Sequence, residues 1–63
     1  MGKNGMKLLK LVIVDDEPIL LEGLVKTYDW KSMGYEVVGS AQSGEQAIKV
    51  IRETRPHVVL TDI

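Results

Sequence analysis

The chain has 63 residues, 44% of them hydrophobic and 27% charged, with a formal net charge of −1. That mix is globular rather than disordered, and it lacks the basic excess of a nucleic-acid arm. Cysteine is absent and His57 is the single histidine, which excludes a disulfide scaffold, thiolate metal sites and histidine-cluster metal sites.

Residues 1–7 read as a flexible lead-in, at the front of a basic stretch that holds Lys3, Lys7, Lys10 and an Asn4-Gly5 turn pair. Met1-Gly2 is not a myristoylation start, because position 6 is Met rather than Ser or Thr. Leu8–Val14 is almost continuously apolar, the pattern of a strand covered on both faces in a parallel sheet. Asp15-Asp16-Glu17-Pro18 stops it, and Pro18 suits the first turn of a helix. The spacing of Leu20, Leu21, Leu24, Val25 and Tyr28 predicts a helix from Ile19 to about Asp29.

Asp29–Gly34 is the connection to a second, more polar strand, Tyr35–Ala41, suited to a sheet edge. Ser43-Gly44-Glu45-Gln46 matches a capping box. Ala47, Ile48, Val50 and Ile51 give the helix that follows its apolar face, and Pro56 predicts its end near Thr54. Val58-Val59-Leu60 starts a third strand, and Thr61-Asp62-Ile63 follows. Strand, helix, strand, helix, strand makes two βαβ units, hence an α/β fold with a parallel sheet. No apolar run approaches the ~18 residues of a membrane span. The apolar stretch within Lys7–Val14 is too short for a secretory signal and ends in acid, so a soluble, cytoplasmic chain with no membrane partner is expected.

Ligands of open α/β sheets bind outside the carboxyl ends of the strands, where strand order reverses. With sheet order 2-1-3, Asp15 and Asp16 after the first strand meet Asp62 at the end of the third. Three carboxylates so placed repel one another, so their pKa values rise or a cation sits among them. A hard, oxygen-seeking ion such as Mg²⁺ fits. The plainer reading stands beside it: Asp15, Asp16 and Glu17 cap the first helix, and Asp62 is an ordinary loop residue.

The ordered set Leu11-Val12-Ile13-Val14-Asp15-Asp16-Glu17-Pro18, Glu36-Val37-Val38-Gly39-Ser40-Ala41, Ser43-Gly44-Glu45-Gln46-Ala47 and Pro56-His57-Val58-Val59-Leu60-Thr61-Asp62-Ile63 resembles the first half of a response-regulator receiver domain. Tyr28-Asp29-Trp30 followed by Gly34–Gly39 most resembles receivers that precede AraC-type helix-turn-helix output domains. The resemblance implies a flavodoxin-like fold, here β1-α1-β2-α2-β3 over residues 8–63, and a phosphorylation switch rather than an enzyme. It implies that Asp62 is the phosphoacceptor, that Asp16 binds Mg²⁺ directly and Asp15 through water, and that a sensor histidine kinase is the phosphoryl donor. DNA would be reached only through an output domain outside these residues.

A whole receiver has five strands. The Mg²⁺-binding carbonyl after Asp62, the Ser or Thr of the fourth strand and the Lys after the fifth are not in this sequence, so weak phosphorylation at most is expected of the 63 residues alone. The third strand, apolar at Val58, Val59 and Leu60, invites pairing at its edge with the remainder of a receiver or with another copy. This leaves a half-domain acting as an assembly piece as an alternative function. A haloacid-dehalogenase-type phosphotransferase also uses an Asp after a strand, but requires Asp-x-Asp where this chain has adjacent Asp15 and Asp16. Trp30 is expected to pack at the end of the first helix, Met33 to fill a gap against that helix, and His57 to lie on the surface away from the carboxylates.

Overall fold

The computed structural model describes residues 7–62, with Asp62 described by its backbone alone. Apart from Lys7, the lead-in expected over residues 1–7 lies outside the described residues. The elements run β1 (Leu9–Asp15), α1 (Pro18–Thr27), β2 (Tyr35–Ala41), α2 (Gly44–Thr54) and β3 (Val58–Asp62). The three strands form one parallel sheet in the order β2-β1-β3, so β1 is central and β2 lies at an edge. This is the flavodoxin-like α/β arrangement that the sequence pattern implied.

The unbroken apolar run of β1 is explained by burial on both faces. Val12 and Val14 join Ala41 and Ala47 on the α2 side, with Val38, Val50 and Ile51 packed around them. Leu11 and Ile13 join Leu21 on the α1 side, with Leu24, Val25, Trp30 and Tyr35 around them. Burial of these side chains supplies the main driving force for folding. The predicted helical stripes are only partly used: Leu20 and Tyr28 on α1 and Ile48 on α2 remain exposed.

Helix α1 begins one residue before its predicted start and ends earlier than Asp29, because Tyr28 turns extended at φ −94°. Trp30 folds back under the helix end, donating from Nε1 to the Leu24 carbonyl at 3.0 Å and meeting Tyr35 edge-on at 6.4 Å. Its packing role is as expected. Met33 is not a gap-filler: it is half exposed, because the turn that ends at Gly34 (φ +94°) carries it away from the core.

Ser43 caps α2 by accepting from the Gln46 N–H at 3.2 Å. The reciprocal arm of the capping box is displaced, since Gln46 Oε1 accepts from the Gln42 N–H at 2.8 Å. At the other end, Arg55 takes a left-handed conformation (φ 50°) and donates its N–H to the Ile51 carbonyl. The β1–β2 register shifts between Leu11 and Val12, leaving Val38 as an extra residue on β2. Such a bulge also blunts an edge strand.

Candidate functional site

The carboxyl ends of β1 and β3 lie side by side. Their register runs from Leu11↔Val58 to Asp15↔Asp62, so the last residues of the two strands are direct partners. Adjacent strands stand about 4.8 Å apart, which sets the backbone separation of the pair. Because β2 lies on the opposite side of β1, this is the point where strand order reverses, the expected ligand position in an open α/β sheet.

Asp15 is the last residue of β1 rather than the first of the loop, and it is buried at 3% exposure. Its Oδ1 accepts from the Glu17 N–H at 2.9 Å, which turns the chain sharply into α1. Glu17 is the N-cap of α1 but makes no side-chain cap, and the first turn carries no acid. The plain helix-capping reading therefore holds for neither Glu17 nor the exposed Asp16. Asp15 serves the loop amide before the helix, not the helix itself. The N-terminus of α1, with its unpaired amides and positive dipole end, opens beside these acids and favours negative charge there.

A buried carboxylate is costly unless paired. Among the described residues, the one ion pair is Lys26–Glu22 on the exposed face of α1, so no basic side chain pairs Asp15. No group of three His, Cys, Asp or Glu among the described residues is placed to hold a metal ion, the Asp62 side chain lying outside that set. The available donors are nevertheless of one chemical kind. Asp15 keeps an oxygen beyond the one bound to Glu17, Asp16 is solvent-facing, and the backbone of Asp62 lies opposite. An all-carboxylate set with the only imidazole at the far end of the sheet suits a hard divalent cation.

His57 is exposed and sits just before β3, at the end away from the carboxylates, as expected. Its ring is nonetheless engaged: Nδ1 accepts from the Lys10 N–H at 2.9 Å. The sequence carried no signal for this contact, which depends on two residues 47 positions apart. Among the described residues no helix is long and apolar enough to cross a membrane.

The family model "Response regulator receiver domain" matches residues 11–63. The chain is 39% identical over 54 residues to the uncharacterized transcriptional regulatory protein YesN of Bacillus subtilis, an alignment covering 86% of this chain and 15% of that protein. It is 36% identical over 56 residues to the transcriptional regulatory protein HptR of Staphylococcus aureus, covering 89% of this chain and 22% of that one. The chain thus spans less than a quarter of the length of these curated relatives. Among solved structures it resembles the REC domain of AraT, a response regulator from Geobacillus stearothermophilus, with a TM-score of 0.76 and 36% identity over 82% of this chain and 40% of that one. The matched segment takes in β1 through β3 and the Asp15–Asp62 pair, and the chain belongs to the receiver domain family of two-component response regulators.

Proposed function

We propose that this receiver accepts a phosphoryl group on Asp62 from a phosphohistidine of a sensor histidine kinase, at a site where Asp15, Asp16 and Asp62 hold Mg²⁺. The reading is carried by the register pair Asp15↔Asp62 at the switch point of the sheet. An Asp62 carboxylate oxygen attacks the phosphorus in line, the P–N bond to the donor imidazole breaks, and the imidazole leaves with its electron pair and takes up a proton. Bound Mg²⁺ would offset charge on the transferring oxygens. The chain's own residues orient and position. Asp15 fixes the loop through the Glu17 amide, and the α1 N-terminus favours the phosphoryl charge.

The product is an acyl phosphate that biases a two-state surface, so the module signals rather than turns over substrate. A cytoplasmic location, and transcriptional output through an attached DNA-binding domain, follow from this reading. The outer edge of β3 would take a further strand, from the remainder of a receiver or from another copy. The exposure of Val59 and Leu60 supports that pairing.

The test is acetyl phosphate with Mg²⁺, read by intact mass, on a protein carrying these residues within a whole receiver. One phosphoryl group is expected, lost in Asp62→Ala. A label that survives Asp62→Ala overturns the assignment.

A further inference from the structure

We infer that His57 is a positioning residue that sets the register of β3 and thereby holds Asp62 opposite Asp15. The inference rests on the proposed role of Asp62 and adds a residue at the other end of the same strand pair.

Strand register is strongly specified only where a face of the strand is buried. β3 has little such protection. It is five residues long, and it pairs with β1 alone among the described strands. Val59 is 39% exposed and Leu60 44% exposed, and Thr61 is exposed too, leaving the half-buried Val58 as the residue that joins the α1-side core. Packing alone therefore does not choose one register over its neighbours.

Hydrogen bonding at the start of the strand does. The His57 backbone N–H donates to the Lys10 carbonyl at 2.9 Å, and the Lys10 N–H donates to His57 Nδ1 at 2.9 Å. Both polar groups of one β1 residue are thus bound by one residue, through its backbone and through its ring. The backbone bond alone could re-form with a neighbouring residue after a slip. The ring bond could not, because no other residue of Pro56–Asp62 is an imidazole, and Val58, Val59 and Leu60 carry no acceptor in the side chain. An acceptor role for Nδ1 leaves the ring proton on Nε2, which faces no partner among the described residues.

The consequence reaches the site through the ladder. From His57 to Asp62 is five residues, about 16 Å of extended chain. A slip of one residue would move Asp62 out of register with Asp15 and reverse the face to which each β3 side chain points.

The experiment compares wild type, His57→Ala and His57→Asn by amide exchange and cross-strand NMR contacts on the 63-residue chain. Asn offers an acceptor oxygen where the imidazole offers Nδ1, so it separates the hydrogen bond from the ring. In His57→Ala the Lys10 amide should exchange about tenfold faster, as expected for the loss of one hydrogen bond. The Asp15–Asp62 contacts should weaken with it, and both should recover in His57→Asn. Unchanged Lys10 exchange in His57→Ala, or unchanged Asp15–Asp62 contacts despite faster exchange, overturns the inference. So does a failure of His57→Asn to restore them. Phosphoryl uptake at Asp62 should fall several-fold in His57→Ala and recover in His57→Asn. Uptake missing from wild type as well counts against the proposed function, while the NMR comparison still decides the register.

Discussion

Gly39 on β2 lies so close to Val50 on α2 that a Cβ at position 39 would stand 2.5 Å from Val50 Cγ1. The contact lies just past the bulge at Val38, where the strand re-registers with β1. Val50 is β-branched and cannot swing aside cheaply. Gly39→Ala should therefore push α2 off the sheet and destabilise the fold by about 1–3 kcal/mol. Urea denaturation checks this, and an unchanged midpoint would show that α2 is not seated as described.

Gly23 makes the opposite case. It lies inside α1, and a Cβ there would meet nothing within 4 Å. Gly23→Ala should raise stability by roughly 0.5–1 kcal/mol, through helix propensity and a less free unfolded chain. The same denaturation series reads it. The contrast between the two glycines separates close packing from intrinsic propensity.

Local pattern made the element order legible. The apolar run of β1, the Pro18 stop, the Ser43 cap and Pro56 act within a few residues, and each appears in the structure close to its expected place. The acids could be assigned to strand ends for the same reason, although Asp15 proved to be the last residue of its strand. What sequence could not supply depended on distant approach. The bulge at Val38 answers to α2 packing over Gly39, and the His57–Lys10 bond needs β3 to lie beside β1. Met33 reads as core by type, yet the Gly34 turn decides its exposure.

Arg55 is the one non-glycine residue with positive φ among the described residues. Left-handed geometry costs an L-residue about 1–2 kcal/mol, part of which glycine returns as unfolded-state entropy. Arg55→Gly should stabilise by roughly 0.5 kcal/mol, and Arg55→Val should destabilise by about 1 kcal/mol, since a β-branched residue tolerates that region least. Paired thermal melts test the order of the three variants. Valine as stable as glycine would exclude the left-handed cap.

The open edge of β3 should make the 63-residue chain associate. Val59 and Leu60 are both exposed beside unpaired backbone groups, an arrangement that recruits another strand. Sedimentation at micromolar concentration should show more than monomer, and Leu60→Lys should shift it toward monomer. A compact, cooperatively melting monomer in the unaltered chain would contradict this.

Asp15 and Asp16 should separate folding from metal binding. Asp15 is buried and holds the Glu17 amide, whereas Asp16 is exposed. Without divalent ions, Asp16→Asn should lie within about 0.5 kcal/mol of the original chain, as surface substitutions generally do. Asp15→Asn keeps an acceptor for Glu17 and should fold. Asp15→Ala leaves that amide unpartnered and should cost roughly 1–2 kcal/mol. Magnesium then adds a second axis. An ion that binds only the folded state at about ten times its Kd stabilises by roughly 1.4 kcal/mol, enough to raise Tm by several degrees in so small a chain. That rise should appear in the original chain and vanish in both Asp→Asn variants, though each remains folded. A magnesium-induced rise of equal size in the Asp15→Asn, Asp16→Asn double variant would place the ion elsewhere.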